Sequence, residues 1–173
     1  CMFNVSYSEA GNTHTGQDAI NAATPTLGQL KYCLDERPGQ GFNSLCSLVP
    51  GHPSGKDINS GWIDCSGFSK WVYGQLGVNI GDNTGGQQTA IKNAGCKMST
   101  DWKSIKAGDL IYWKKRHVAI ATGNVINGRI EVIQSSGGGA IGKGGTNKAT
   151  VGTGSLQGYF SAECVISHMP KWN

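Results

Sequence analysis

Gly61-Trp62-Ile63-Asp64-Cys65-Ser66-Gly67-Phe68-Ser69-Lys70-Trp71-Val72-Tyr73-Gly74-Gln75-Leu76-Gly77 reads as a short lead-in to one amphipathic helix. Phe68, Val72 and Leu76 recur every four residues with Trp71 beside them, so one side of the helical period is apolar and faces a core. Asp64 stands at the N-cap, where its carboxylate can take up an orphan amide of the first turn. Gly77 stands where a left-handed cap would end the helix. Cys65 therefore falls in the first turn, at the positive end of the macrodipole and among unpaired amides that favour thiolate over thiol, which makes it a primed nucleophile. A small buried hydrophobe at a helix start is the plainer reading of the same residue. Gly67 leaves room beside the cysteine for a substrate chain or a packed strand.

Upstream, residues 1 to about 15 are polar and aperiodic and read as an extended arm. Ala19, Ile20, Ala23, Leu27, Leu30 and Leu34 suggest a helix over Gln17 to Leu34, with Pro25 near a break or restart. Gly39 to Gly61 is rich in Pro and Gly, with room for a short helix around Asn43 to Leu48. Downstream, a second helix is expected from Gly85 or Gly86 to Asn93, stopped by Gly95. The period then changes: Asp109 to Lys114, His117 to Thr122 and Arg129 to Gln134 are β-branched or aromatic runs divided by turn signals such as Asn127-Gly128, the pattern of an antiparallel meander. Gly137 to Gly158 holds nine glycines in twenty-two positions and is expected to be a mobile loop or a set of tight turns before a last strand near Cys164 to His168. Helices first and antiparallel strands afterwards predict an α+β fold, N-terminal helices packed on an antiparallel sheet.

The 173 residues amount to one domain's worth of chain. Glycine supplies 27 of them, but five Trp, five Tyr and four Phe among 15% charged residues do not describe a disordered chain. The net charge of +4 is scattered apart from Lys114-Lys115-Arg116-His117, so no basic stripe for nucleic acid is present, while an anionic polymer or surface fits the mild excess. No run approaches the length of a membrane span, and no charged-then-apolar leader is visible. The start at Cys1 leads to the expectation of a processed or excised form whose targeting segment has been removed. None of the six cysteines makes a C-x-x-C pair, so neither a zinc site nor another cofactor is expected. Cys33 with Cys46 would close a short loop across Arg37 to Gly41, and Cys96 with Cys164 is a second possible bridge, as in a secreted protein; buried thiols in a reducing compartment are the alternative.

A nucleophile needs a base. His14 lies in the polar arm, His52 in a Pro/Gly loop and His168 before Met169-Pro170, and all three read as solvated. His117 opens an apolar strand, where its ring could face a helix N-terminus or simply pack. A base needs an orienting group for its second ring nitrogen. A hairpin through Asn127-Gly128 would bring His117 at one strand start together with Gln134 at the end of the next, although a glutamine at that edge could equally face water.

Asp64-Cys65-Ser66-Gly67 with its helix, Gly108-Asp109-Leu110, His117-Val118-Ala119-Ile120 and Ile133-Gln134-Ser135-Ser136 together resemble, in order and spacing, the D-C-S-G, G-D-L, H-V-[GA]-I and third-polar-residue motifs of the NlpC/P60 family of papain-like cysteine peptidases. The resemblance covers roughly Gly61 to Gly137. It implies an NlpC/P60-like catalytic domain over residues 61–173, with residues 1–60 as an N-terminal extension packed on it. It further implies hydrolysis of peptidoglycan stem peptides by a secreted or envelope enzyme, at the bond between D-isoglutamate and a diamino acid such as meso-diaminopimelate or lysine. Cys65 would be the nucleophile, His117 base and then acid, and Gln134 the orienting residue, where the family most often has His. Trp62, Asp64, Ser66 and Gln88 would contact substrate, and the chain would act as a monomer without nucleic acid or membrane span. A family stretch R-x-S-x-x-Q corresponds loosely to Asn83 to Gln88, with Gln88 matching and Arg and Ser absent, and of a family Y-x-W-G-G-like segment only Gly61-Trp62 is present. An N-acetylmuramoyl-L-alanine amidase and a catalytically silent wall-binding module are the competing readings.

Overall fold

The computed structural model describes residues 14–33, 57–99, 102–113, 117–137 and 144–152, and the strand 164–168. The polar arm before residue 14 and the short helix expected near Asn43 to Leu48 lie outside these residues. Among the described residues three α-helices, α1 (Gly16–Ala23), α2 (Cys65–Gln75) and α3 (Thr84–Asn93), accompany one sheet. Its strands are β1 (Lys31–Tyr32), β2 (Trp62–Ile63), β3 (Lys97–Ser99), β4 (Leu110–Trp113), β5 (His117–Ile126), β6 (Arg129–Gly137), β7 (Gly144–Gly152) and β8 (Cys164–His168). Among the described residues they run in the order β2-β1-β7-β6-β5-β4-β8-β3, antiparallel except for β1 beside β2. The fold is α+β, as expected, with a mixed rather than purely antiparallel sheet.

Alternation along the central strands builds two cores. Leu110, Tyr112, Val118, Ile120 and Ile133 turn to the face carrying α1 and α2, where they bury Phe68, Val72, Tyr73 and Leu76. Each such aliphatic or aromatic side chain, once fully buried, contributes roughly 1.5–3 kcal/mol. Ile111, Trp113, Ala119, Ala121, Ile130 and Val132 form the second cluster. The β5–β6 hairpin turns at Asn127 and Gly128, whose φ of 50° and 73° are the left-handed pair that the right-handed strand twist requires.

Two expectations are corrected. The helix expected over Gln17 to Leu34 ends at Ala23, passes through a 3₁₀ turn at Thr24–Thr26 and gives way to β1. Pro25 lacks an amide to continue the helix and Gly28 turns at φ 71°. Leu30 and Lys31 then find partners far away, with the Leu30 carbonyl accepting from Thr146 and the Lys31 amide donating to Gly61. The glycine-rich stretch after Gly137 contains β7, paired with β6 from Arg129↔Gly152 to Gly137↔Gly144. Glycine is required there: Gly145 has φ 142°, and a Cβ on it would lie 2.1 Å from the Leu30 carbonyl oxygen. The first 60 residues thus supply α1 to the core and β1 to the sheet between β2 and β7.

Candidate active site

The start of α2 is built as its sequence dictates. Asp64, in extended backbone, caps the helix by accepting from the Gly67 amide at 2.6 Å, and the Ser66 hydroxyl reaches the same carboxylate oxygen at 3.3 Å. Such a cap is worth about 1 kcal/mol and sets where the helix begins. Cys65 is consequently the first helical residue, buried and not disulfide-bonded. Cys33 and Cys96 are disulfide-bonded. The short strand β2 aims the cap: the Ser135 hydroxyl of β6 donates to the Ile63 carbonyl at 2.8 Å, tying the residue before Asp64 to the sheet.

His117 opens β5, buried, its ring 5.4 Å from that of Trp113, the residue opposite it in β4. The register Ile120↔Ile133 carries its strand start and the far half of β6 to the same end of the hairpin. There His117 Nε2 and Gln134 Oε1 meet at 2.7 Å. Burial pushes the His117 pKa below its ordinary 6.5, with the Gln134 hydrogen bond pulling the other way. Cys65 belongs to the neighbourhood of these strands: its charge helps push the Tyr112 phenol above its usual range, after burial and Tyr73, and Tyr112 pairs with Val118, next to His117.

Sequence reasoning missed Gln87. This side chain is fully buried at the hub where α3, α2 and β4 meet. Its Nε2 donates to the carbonyls of Ser66 at 2.9 Å and Gly81 at 3.1 Å, while its Oε1 accepts from the hydroxyls of Tyr112 and Ser69, each at 2.9 Å. Gln88, the residue singled out by motif, is only partly buried and turns its amide to Thr84 of its own helix. The discriminating signal was available in the helical phase: Gln87 lies four residues before Ile91, the apolar residue of α3 that enters the core.

Trp62 is partly exposed beside the cap, with the Lys31 ammonium 5.2 Å from its ring centre. Asp64 and Ser66 are buried within the cap itself. His14 lies 3.5 Å from Asp18 on α1, while the side chains of His52 and His168 fall outside the described residues. No helix among the described residues is long and apolar enough to cross a membrane.

A buried thiol at a helix N-terminus and a histidine held by an amide acceptor are the parts of a cysteine hydrolase site. The NlpC/P60 family model matches residues 53–148, more than half of the chain. Protein P54 of Enterococcus faecium is 42% identical over 73 residues, which are 40% of this chain, and the chain spans 13% of that relative's length. The NlpC/p60 domain of the peptidoglycan hydrolase SagA superposes with a TM-score of 0.57 at 22% identity, covering 90% of this chain and all of that domain. An NlpC/P60 family protein from Bacillus cereus aligns at 0.53 and 19% identity over 91% of this chain and 40% of its own. At these identities the two structures speak to the fold.

Proposed function

The chain belongs to the NlpC/P60 family, and from that premise we propose that it is a peptidoglycan hydrolase, a cysteine endopeptidase that cuts stem peptides between D-isoglutamate and a diamino acid. The observation that carries the reading is the His117–Gln134 pair at 2.7 Å, on the strands next to the helix that starts at Cys65. A buried imidazole held by a neutral acceptor through Nε2 keeps its other nitrogen for a proton transfer.

In this reading the neutral His117 ring takes the Cys65 thiol proton as the sulfur attacks the amide carbonyl carbon. The carbonyl oxygen becomes an oxyanion, stabilised by the Cys65 backbone amide at the helix start. Collapse breaks the C–N bond, His117 passes its proton to the leaving amine, and a thioester remains on Cys65. Water then attacks the thioester with His117 as base, releasing the acid and restoring the thiol. Gln134 holds the ring through these steps. Trp62, Asp64, Ser66 and Gln88 are the proposed substrate contacts, of which Trp62 and Gln88 are the partly exposed ones. We assign residues 61–173 to the catalytic domain and residues 1–60 to an extension of it, acting as a monomer on the wall outside the cell or in the envelope.

Digestion of purified sacculi with mass-spectrometric identification of the products tests the reading. Fragments ending at D-isoglutamate with a free diamino acid amine are expected, and Cys65→Ala is expected to abolish their release with the melting temperature preserved. Products cut between N-acetylmuramic acid and L-alanine would make the chain an amidase instead. Binding to sacculi without any release would overturn hydrolysis altogether.

A further inference from the structure

The hydrogen bonds around His117 do not stop at Gln134. Gln134 Nε2 donates to Asn147 Oδ1 at 3.1 Å, and Asn147 Nδ2 lies 2.9 Å from both the Gly145 carbonyl oxygen and the Ser136 hydroxyl. Side-chain amides can be turned end for end, so the sense of such a chain has to be fixed by a group that cannot be reversed. The Gly145 carbonyl is that group, since a backbone oxygen only accepts. Its position is held by β1: Gly145 pairs with Lys31, and its backbone at φ 142° passes so close to the Leu30 carbonyl that only glycine fits.

The rest follows link by link. The Gly145 oxygen requires the NH₂ end of Asn147, because turning that amide would set two acceptors 2.9 Å apart. Asn147 then presents its oxygen to Gln134, which must answer with its own NH₂ end. Gln134 therefore presents Oε1 to His117, and Nε2 of the ring must carry a hydrogen. In a neutral imidazole the remaining nitrogen, Nδ1, is then the acceptor.

We propose that Asn147 is a positioning residue which, anchored on the Gly145 carbonyl, sets through Gln134 the tautomer of His117, with the proton on Nε2 and Nδ1 left as the base. The consequence for catalysis rests on the cysteine-hydrolase reading above, whereas the tautomer is a property of the folded chain alone. The contribution of β7 to the site is thus to define which way the amides point. A glutamine in the third position needs such a device and a carboxylate would not, because both carboxylate oxygens accept whichever way the group is turned.

The test is nitrogen-15 NMR of the His117 ring above pH 7.5, combined with kcat and KM on a soluble stem-peptide substrate. The wild type is expected in the Nε2–H form. Asn147→Leu is expected to lose that preference and to lower kcat roughly tenfold, the scale of one net hydrogen bond, with little change in KM. In a Gln134→Glu background the Asn147→Leu change is expected to alter neither tautomer nor kcat by more than about twofold, because the carboxylate holds Nε2–H unaided. Asn147→Leu retaining the wild-type tautomer and rate, or Asn147→Leu costing as much with Glu at 134 as with Gln, would each overturn the proposal. The expected tautomers in a chain that releases no Cys65-dependent products would overturn the hydrolase reading and leave the relay standing.

Discussion

Gln87 donates to the Ser66 carbonyl at 2.9 Å, one residue past Cys65, from a different helix. The oxygen of the same amide accepts from the Tyr112 hydroxyl, so the first turn of α2 is registered against β4 through one buried side chain. An unbonded amide at this depth would be costly, but all four of these bonds are made.

Gln87→Leu should therefore do more than remove contacts. It takes this partner from the Tyr112 hydroxyl and the Gly81 carbonyl, while the Ser69 hydroxyl and the Ser66 carbonyl keep each other at 3.1 Å, at about 1–3 kcal/mol for each group that stays buried and unpaired, less whatever the site recovers by relaxing. The expected loss is about 2–4 kcal/mol of unfolding free energy in urea, with a lower kcat as the start of α2 shifts. Gln88→Ala is expected to cost less than about 1 kcal/mol. Equal losses from the two would mean that Gln87 does not register the helix.

The pH dependence follows from the depressed His117 pKa. Its folded-state pKa lies below 6.5, so between that value and 6.5 the unfolded chain binds a proton that the native ring does not. Stability from this group is fully present above 6.5 and is lost as the pH falls through the folded-state pKa. The acid limb of kcat/KM is expected below 6.5 for the same reason. Gln134→Leu removes the hydrogen bond that favours the charged ring, so an NMR titration of His117 in that variant should give a still lower pKa. A higher one would reverse the assigned causes.

Gly145→Ala meets two penalties, a φ of 142° and a backbone oxygen 2.1 Å from the new Cβ. The expected cost is about 3 kcal/mol or more, because β1 must part from β7 to admit the methyl group. Gly128→Ala, at φ 73° with nothing within 4 Å, should cost only about 1 kcal/mol. Urea unfolding of both variants distinguishes a tight crossing from ordinary turn strain.

Local rules made much of this protein legible. Asp64 and Gly77 bracket α2 because capping is settled within a turn of chain, and Gly95, at φ 73°, ends α3 in the same way, whereas α3 starts at Thr84, ahead of the expected Gly85 or Gly86, behind an Asn83 cap that accepts from the Gly86 amide at 2.8 Å. The Asn127-Gly128 turn fixes a two-residue hairpin, but the placing of His117 beside Gln134 also needs the register shift between Ala121 and Val125, which the turn does not dictate. Short strands were a different matter. β1 and β2 are two residues each and exist because Lys31 meets Trp62 and Gly145, partners about 30 and 110 positions away that no local window contains. β7 was hidden in glycine, which carries little strand preference of its own and becomes strand by pairing along β6. The choice between Gln87 and Gln88 turned on about 100° of helix rotation, decided by where the Ser66 carbonyl lay. Asn147 could not be weighed at all until β7 had brought it beside Gln134. The sequence by itself determined the helix that carries the thiol and the hairpin that carries the imidazole and its amide. Only the tertiary structure decided which buried amides hold them, because a hydrogen-bond partner is chosen by position in space.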